Sequence, residues 1–158
     1  LGSHGAAVLG SRALKEYLIN FARSFIYTTG LPPHSIAVTL SAYRHLGSSE
    51  NELKRLRDYI DFFNSEIEAL NFSKAKQRNN NIYFLKSESA IHSCVVPGNL
   101  EVRSIAAKIR EKGFDVRAII APTVPIGQER LRFCLHSFNS KKEIVRVLQL
   151  LAIFTREV

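Results

Sequence analysis

The sequence predicts an α/β fold in which a small sandwich of helices and strands occupies most of the chain. Hydrophobic residues make up 46% of the 158 residues, which is enough for a buried core. From about residue 46 onward, helical and strand patterns follow in the order α-β-β-α-β-β-α. Two capping-box sequences, Ser49-x-x-Glu52 and Ser140-x-x-Glu143, open the first and the last of these helices. We therefore expect helices on one face of a mostly antiparallel or mixed sheet.

The segment before residue 46 combines strand and helix signals. Residues 5–10 (GAAVLG) are small, apolar and bounded by glycine, which predicts a buried strand. Ser11 is placed to cap a helix, and the β-prone residues 25–29 (FIYTT) predict a second strand. Pro33 suits the first turn of another helix. The apolar face of the helix after Ser11 comprises Leu14, Tyr17, Leu18 and Phe21.

A glycine-bounded strand at the start of the chain needs neighbouring strands that the rest of this sequence does not supply. We therefore expect residues 1–45 to be the C-terminal remnant of a larger domain with a connecting helix. Residues 46–158 are expected to form a separate small domain.

The elements of this second domain follow from apolar spacing and turn residues. Asn99 is expected to cap the central helix, which Gly113 ends, and the polar residues 73–81 are expected to form a loop. The strands are predicted at 82–85, 90–96, 116–120 and 130–135. The first helix presents a core-facing stripe of Leu53, Leu56, Ile60, Phe63, Ile67 and Leu70, and the last presents Ile144, Val147, Leu148 and Leu151.

Composition excludes several classes of protein. Lys and Arg number 22 against 14 Asp and Glu, but this positive charge is scattered and lacks the basic stripe with interleaved aromatics of a nucleic-acid binder. No apolar stretch is long enough to span a bilayer, and no His/Cys cluster predicts a metal site. Cys94 and Cys134 lie in apolar runs and are expected to be buried thiols of a cytoplasmic protein. We expect no nucleic-acid, membrane or metal partner.

Three segments together resemble one family, the α-oxoamine synthases, which are pyridoxal-phosphate (PLP) enzymes of fold type I. They are residues 1–8 (LGSHGAAV), 25–33 (FIYTTGLPP) and 121–132 (APTVPIGQERLR), in matching order and spacing over nearly the whole chain. The resemblance implies that the chain is the end of the large PLP domain followed by the small C-terminal α/β domain. It places the PLP lysine about two residues before Leu1, so that no catalytic residue is expected within the chain.

The same resemblance implies roles for four side chains. Arg132 would pair with the carboxylate of the amino-acid substrate, for which a planar guanidinium is well suited, and Thr123 would lie at the substrate. Thr28 and Thr29 would reach the PLP phosphate of a neighbouring subunit, which implies a homodimer with shared active sites. Spacing alone favours the other interpretation, in which these residues are a surface arginine, a turn threonine and two strand formers. Arg130 lies on the same strand face as Arg132, and only the resemblance separates the two.

The substrates are also implied by the resemblance. The family condenses an amino acid with an acyl thioester and releases carbon dioxide. The Pro-Thr-Val-Pro sequence preceded by Ala121 favours L-alanine and a pimeloyl thioester of coenzyme A (CoA) or a carrier protein. The alternatives are a member that forms 5-aminolevulinate or acetylates glycine, and a non-enzymatic regulatory α/β module. The order of elements alone allows such a module, but residues 1–45 argue against it.

Overall fold

A computed structural model describes residues 7–70 and 82–156. The chain divides into two compact units, Leu1–Glu50 and Asn51–Val158. The domain boundary predicted between residues 45 and 46 stays a prediction.

The first unit contains three described helices: α1 (Arg12–Phe21), α2 (Arg23–Ile26) and α3 (Pro33–Gly47). Helix α1 begins as predicted, because the Ser11 hydroxyl accepts a hydrogen bond from the Leu14 amide at 3.2 Å. Helix α3 begins at Pro33, also as predicted. No side chain of these three helices is buried.

Both strands predicted in the first unit are wrong where the structure describes them. Residues 7–10 are irregular and exposed, and residues 5–6 lie outside the described part of the chain. Residues 25–29 end helix α2 and enter a turn. A strand requires a neighbour that satisfies its N–H and C=O groups. Residues 7–50 contain no strand that pairs with either segment.

The second unit follows the predicted order of elements. Helix α4 (Glu50–Ala69) precedes β1 (Tyr83–Leu85) and β2 (Ile91–Val95), and α5 (Asn99–Glu111) precedes β3 (Arg117–Ile119) and β4 (Arg130–Cys134); α6 (Lys141–Phe154) comes last. The strands form one sheet in the order β1-β2-β4-β3, with antiparallel pairing throughout. The predicted loop at 73–81 lies outside the described residues.

One face of the sheet and the three helices of the second unit share a single core. Strand pairing places Cys94 of β2 opposite Leu131 of β4, and His92 opposite Phe133, with all four side chains buried. The helices contribute Ile60, Phe63, Ile67, Ile105, Ile109, Ile144, Val147, Leu148 and Leu151. The predicted stripes are thus confirmed, except that Leu53 and Leu70, at the ends of α4, are exposed.

The helix ends confirm one predicted cap and correct another. Ser140 and Glu143 form the complete capping box at the start of α6. Asn99, predicted to cap α5, is instead its first helical residue, and Gly98 is the capping residue with φ of 102°. Glycine takes this left-handed conformation without the steric cost that a side chain would add. Gly113, with φ of 90°, follows the end of α5 as predicted. No helix in the described ranges is long and apolar enough to cross a membrane.

Candidate substrate-binding site

Strand β4 directs two arginines away from the core. Its residues alternate between faces, so that Leu131 and Phe133 are buried while Arg130 and Arg132 lie on the opposite, open face of the sheet. Arg132 pairs across the sheet with Ser93 of β2. Its side chain is exposed. The predicted strand and the predicted common face of the two arginines are confirmed.

The two arginines differ in what their guanidinium groups contact. Arg130 Nε donates to the Gln128 carbonyl at 3.0 Å, and Arg130 Nη2 lies 3.5 Å from the Gln128 Oε1. The Arg132 guanidinium has no hydrogen-bond or ion-pair partner in residues 7–70 and 82–156. Arg132 is therefore the arginine that remains available to a carboxylate ligand.

Thr123 lies in the loop of residues 120–129 that connects β3 to β4, and its side chain is exposed. The peptide bond between Ala121 and Pro122 is cis. Within the loop, the Val124 amide donates to the Ile120 carbonyl at 3.3 Å. Thr123 and Arg132 thus belong to one continuous loop and strand of the same unit.

Side chains hold this loop to the start of α5 at both of its ends. The Asn99 Oδ1 accepts a hydrogen bond from the Ala121 amide at 3.0 Å. At the other end, the Glu129 Oε2 accepts from the amides of Gly98 and Gly127, each at 3.0 Å. Two of these contacts join the loop to the start of α5, and the third, between Glu129 and Gly127, closes the loop on itself. The loop that precedes Arg132 is therefore anchored at both ends.

Glu129 is a buried carboxylate, with 2% of its surface exposed. Hydrogen bonds from the Gly98 amide, from the Glu129 amide itself and from the Gly127 amide lower the pKa of Glu129 and hold it ionised. Sequence reasoning missed both Glu129 and Asn99 as residues that position the loop. No local pattern signals them, because the Glu129–Gly98 contact joins residues 31 positions apart.

Thr28 and Thr29 lie in the first unit, in the exposed turn between α2 and α3. The Thr28 hydroxyl donates a long hydrogen bond of 3.4 Å to the Thr29 carbonyl. Both hydroxyls are thus accessible on a turn, and their predicted cofactor role stays a prediction.

The cysteines and histidines add one correction and one unexpected feature. Cys94 is buried as expected, but Cys134 is exposed, because it shares the open face of β4 with Arg132. His92, for which the sequence showed no partner pattern, is fully buried, and neither of its ring nitrogens has a hydrogen-bond partner among the described residues. Its ring centroid lies 4.5 Å from that of Phe63. Burial lowers the pKa of His92 to about 4, so that the ring is neutral at pH 7.

One surface depression of the second unit lies apart from this candidate site. The described residues contain no group of His, Cys, Asp or Glu that could hold a metal ion. An open depression of about 540 Å³ lies along α6 and is lined by Lys141, Lys142, Val145, Arg146 and Gln149. Because α6 packs on the core side of the sheet, this depression is separate from the face that carries Arg132.

The sequence profile of a family described as aminotransferase class I and II matches residues 1–151. The chain belongs to this family. The match covers the first compact unit and most of the second, which confirms the predicted fold class of the chain.

Two curated relatives of the chain carry the same enzyme name. The chain is 36% identical to an 8-amino-7-oxononanoate synthase from Emericella nidulans, over 100% of the chain and 37% of the relative. It is 34% identical to an enzyme of the same name from Saccharophagus degradans, over 99% of the chain and 37% of the relative. The chain therefore spans little more than a third of the length of these relatives. The resemblance to the α-oxoamine synthases is confirmed.

Solved structures agree with the fold. The crystal structure of 8-amino-7-oxononanoate synthase from Francisella tularensis superposes with a TM-score of 0.73 at 28% identity, over 93% of this chain and 40% of that one. A serine palmitoyltransferase variant from S. paucimobilis with a bound PLP–myriocin aldimine superposes with a TM-score of 0.71 at 19% identity, over 90% of this chain and 34% of that one. At that identity the second likeness shows the fold alone.

Proposed function

We propose that this chain is part of a PLP-dependent C-acyltransferase that condenses L-alanine with a pimeloyl thioester. The product would be 8-amino-7-oxononanoate, a precursor in biotin biosynthesis, formed with loss of carbon dioxide. The names of the relatives support this reaction. The observation that carries it in the structure is the unpaired Arg132 guanidinium, exposed on the open sheet face within the family motif.

Arg132 would hold and orient the amino acid. A guanidinium binds a carboxylate through two parallel hydrogen bonds, which defines an angle as well as a position. In PLP chemistry the bond that breaks must lie perpendicular to the π system of the cofactor. A carboxylate held by Arg132 sets that angle at the α-carbon, while Thr123 lies beside the substrate. When bound, PLP supplies an electron sink for the carbanion at this carbon.

The anchored loop explains how Arg132 keeps its position. The Asn99 and Glu129 contacts fix the loop that leads into β4. The antiparallel pairing of β4 with both β2 and β3 fixes the strand itself. Precise placement matters because a small displacement of a substrate-holding group costs catalytic efficiency.

The proposed assembly is a cytoplasmic homodimer with shared active sites. Thr28 and Thr29 present exposed hydroxyls on a turn, which suits a phosphate ligand. In the proposed dimer they would bind the PLP phosphate of the neighbouring subunit. The PLP lysine is expected about two residues before Leu1, so we assign no catalytic residue within this chain.

The test is substitution of Arg132 in the full-length enzyme. Arg132→Ala should raise the Michaelis constant for L-alanine and leave the absorbance of the bound cofactor unchanged, because the side chain would touch the substrate and not PLP. Truncating a charge-assisted pair costs about 2–5 kcal/mol, or roughly 30-fold to several-thousand-fold in catalytic efficiency. Arg132→Lys should recover only part of this loss, since an ammonium lacks the planar fork.

Arg130→Ala is the matched control, because Arg130 lies on the same strand face and already contacts Gln128. Its effect on the Michaelis constant for alanine should be mild. A strong effect of Arg130→Ala with near-normal kinetics for Arg132→Ala would contradict the assigned register. A wild-type enzyme that uses glycine and rejects L-alanine would favour another α-oxoamine synthase.

A further inference from the structure

A second arginine lies directly beside Arg132 on the open face of the sheet. Strand pairing places Arg117 of β3 opposite Arg132 of β4. Paired residues of antiparallel strands project from the same face, with their Cβ atoms roughly 4.5–5.5 Å apart. The neighbouring Ala118 packs against the core, so Arg117 points to the open side. Two guanidinium groups therefore share one small area of the surface.

This arrangement costs stability unless something compensates it. Like charges directly opposite each other across a sheet are destabilising. Asp115 compensates in part, because its Oδ2 lies 2.9 Å from the Arg117 Nη2. Arg132 has no such partner among the described residues. The two arginines together therefore carry more positive charge than the single carboxylate of Asp115 neutralises.

The ion pair that restrains Arg117 is one that a ligand can displace. The two side chains are 60% and 63% exposed, and an exposed ion pair contributes little net stability. An incoming anion that bridged both guanidinium groups, or that bound Arg117 while Arg132 held a carboxylate, would relieve their repulsion. Arg117 is not part of the hydrophobic core, so packing does not explain why an arginine stands at this position.

We propose that Arg117 binds a second anionic group, carried by the acyl donor, beside the amino-acid carboxylate held by Arg132. The proposal rests on the proposed function. The shared chemistry is an oxyanion recognised by a guanidinium. On an acyl donor that oxyanion has two sources: the distal carboxylate of a dicarboxylic acyl chain, or the phosphates of its CoA carrier.

The experiment uses the full-length enzyme and four donors. Pimeloyl-CoA and heptanoyl-CoA differ only in the distal carboxylate, and the corresponding N-acetylcysteamine thioesters lack the phosphates. The catalytic efficiency of the wild type, Arg117→Gln and Arg117→Lys is measured with each donor at saturating L-alanine. Arg103→Gln, which removes an exposed arginine of α5 on the other side of the sheet, is the matched control.

Arg117→Gln should lose roughly 10–100-fold in efficiency with donors that carry the recognised group and far less with donors that lack it. A loss confined to the pimeloyl donors identifies the carboxylate, and one confined to the CoA donors identifies the phosphates. The Michaelis constant for alanine should stay within roughly threefold. Arg117→Lys should retain only part of the preference, because an ammonium keeps the charge but lacks the planar fork. Asp115→Asn should raise the efficiency by freeing Arg117 from its ion pair.

Equal losses with all four donors, no loss at all, or a raised Michaelis constant for alanine would overturn the role of Arg117 while leaving the proposed function in place. A wild-type enzyme that is inactive with alanine and every donor would overturn the proposed function itself, and this inference with it.

Discussion

The two units of this chain are built from similar amphipathic helices, but only the second buries them. Helices α4, α5 and α6 bury their apolar residues in one core with the sheet. Helices α1, α2 and α3 bury none, and Phe25, Leu40 and Tyr43 are among their exposed apolar side chains. The comparison teaches that apolar periodicity predicts where a helix forms, whereas the surface that covers it has to come from elsewhere in the fold. The second unit supplies its own cover within the described residues.

The largest expected difference between the units is in packing energy, and one pair of identical substitutions measures it. Phe63 is fully buried and contacts the rings of Phe84, His92 and Phe133. Phe63→Ala should lower the free energy of unfolding by about 3–5 kcal/mol, through lost burial and a cavity. Phe25 is 59% exposed, and Phe25→Ala should change this free energy by less than about 0.5 kcal/mol in this chain.

Urea denaturation of the 158-residue chain checks both values. Equal losses for the two variants would show that the contrast between the units is wrong. A large loss for Phe25→Ala only in the full-length protein would show that a surface outside this chain covers the first unit.

The next effect concerns function in the first unit. If Thr28 and Thr29 bind the PLP phosphate, the double variant Thr28→Ala/Thr29→Ala in the full-length enzyme should weaken PLP binding by roughly 10–100-fold, because each lost hydrogen bond is to a charged group. The thermal unfolding midpoint of the apoenzyme should change little, since both residues are exposed. Spectroscopic titration with PLP measures the affinity.

Hybrid dimers then test the cross-subunit role. Mixing the threonine double variant with a variant that lacks the PLP lysine should restore part of the activity, because one of the two shared sites would be intact. Hybrids that form but remain inactive would contradict a phosphate site shared between subunits.

The smallest effect is a pH dependence confined to the second unit. The folded-state pKa of His92 is lowered to about 4 from 6.5. As the pH falls below 6.5, the unfolded chain takes up a proton that the folded chain does not, so stability falls until the pH reaches about 4. Discounted for solvent relaxation, the loss is about 2 kcal/mol.

Denaturation at pH 7, 5.5 and 4.5 measures this dependence, and His92→Leu should flatten it because the titrating ring is removed. His136→Leu, at an exposed position, is the matched control. An unchanged pH slope in His92→Leu would mean that other groups cause the acid sensitivity.

The sequence by itself determined most of the second unit. Apolar spacing predicted its helices and strands in the correct order, and local hydrogen bonds explain why the Ser140–Glu143 box and the Gly113 end were predictable. Alternation along β4 likewise placed Arg130 and Arg132 on one face. Each of these features depends on residues within a few positions of one another.

Only the tertiary structure determined which of these side chains have partners within the fold and which remain available to a ligand. The burial of Glu129 against Gly98 and the pairing of Arg117 with Arg132 join residues that are distant in sequence. The contacts of Arg130 with Gln128 are local, but they depend on the shape of a loop that those distant contacts hold. Residues 7–10 and 25–29 are not strands for the same reason, because β-propensity is realised only where a partner strand supplies hydrogen bonds.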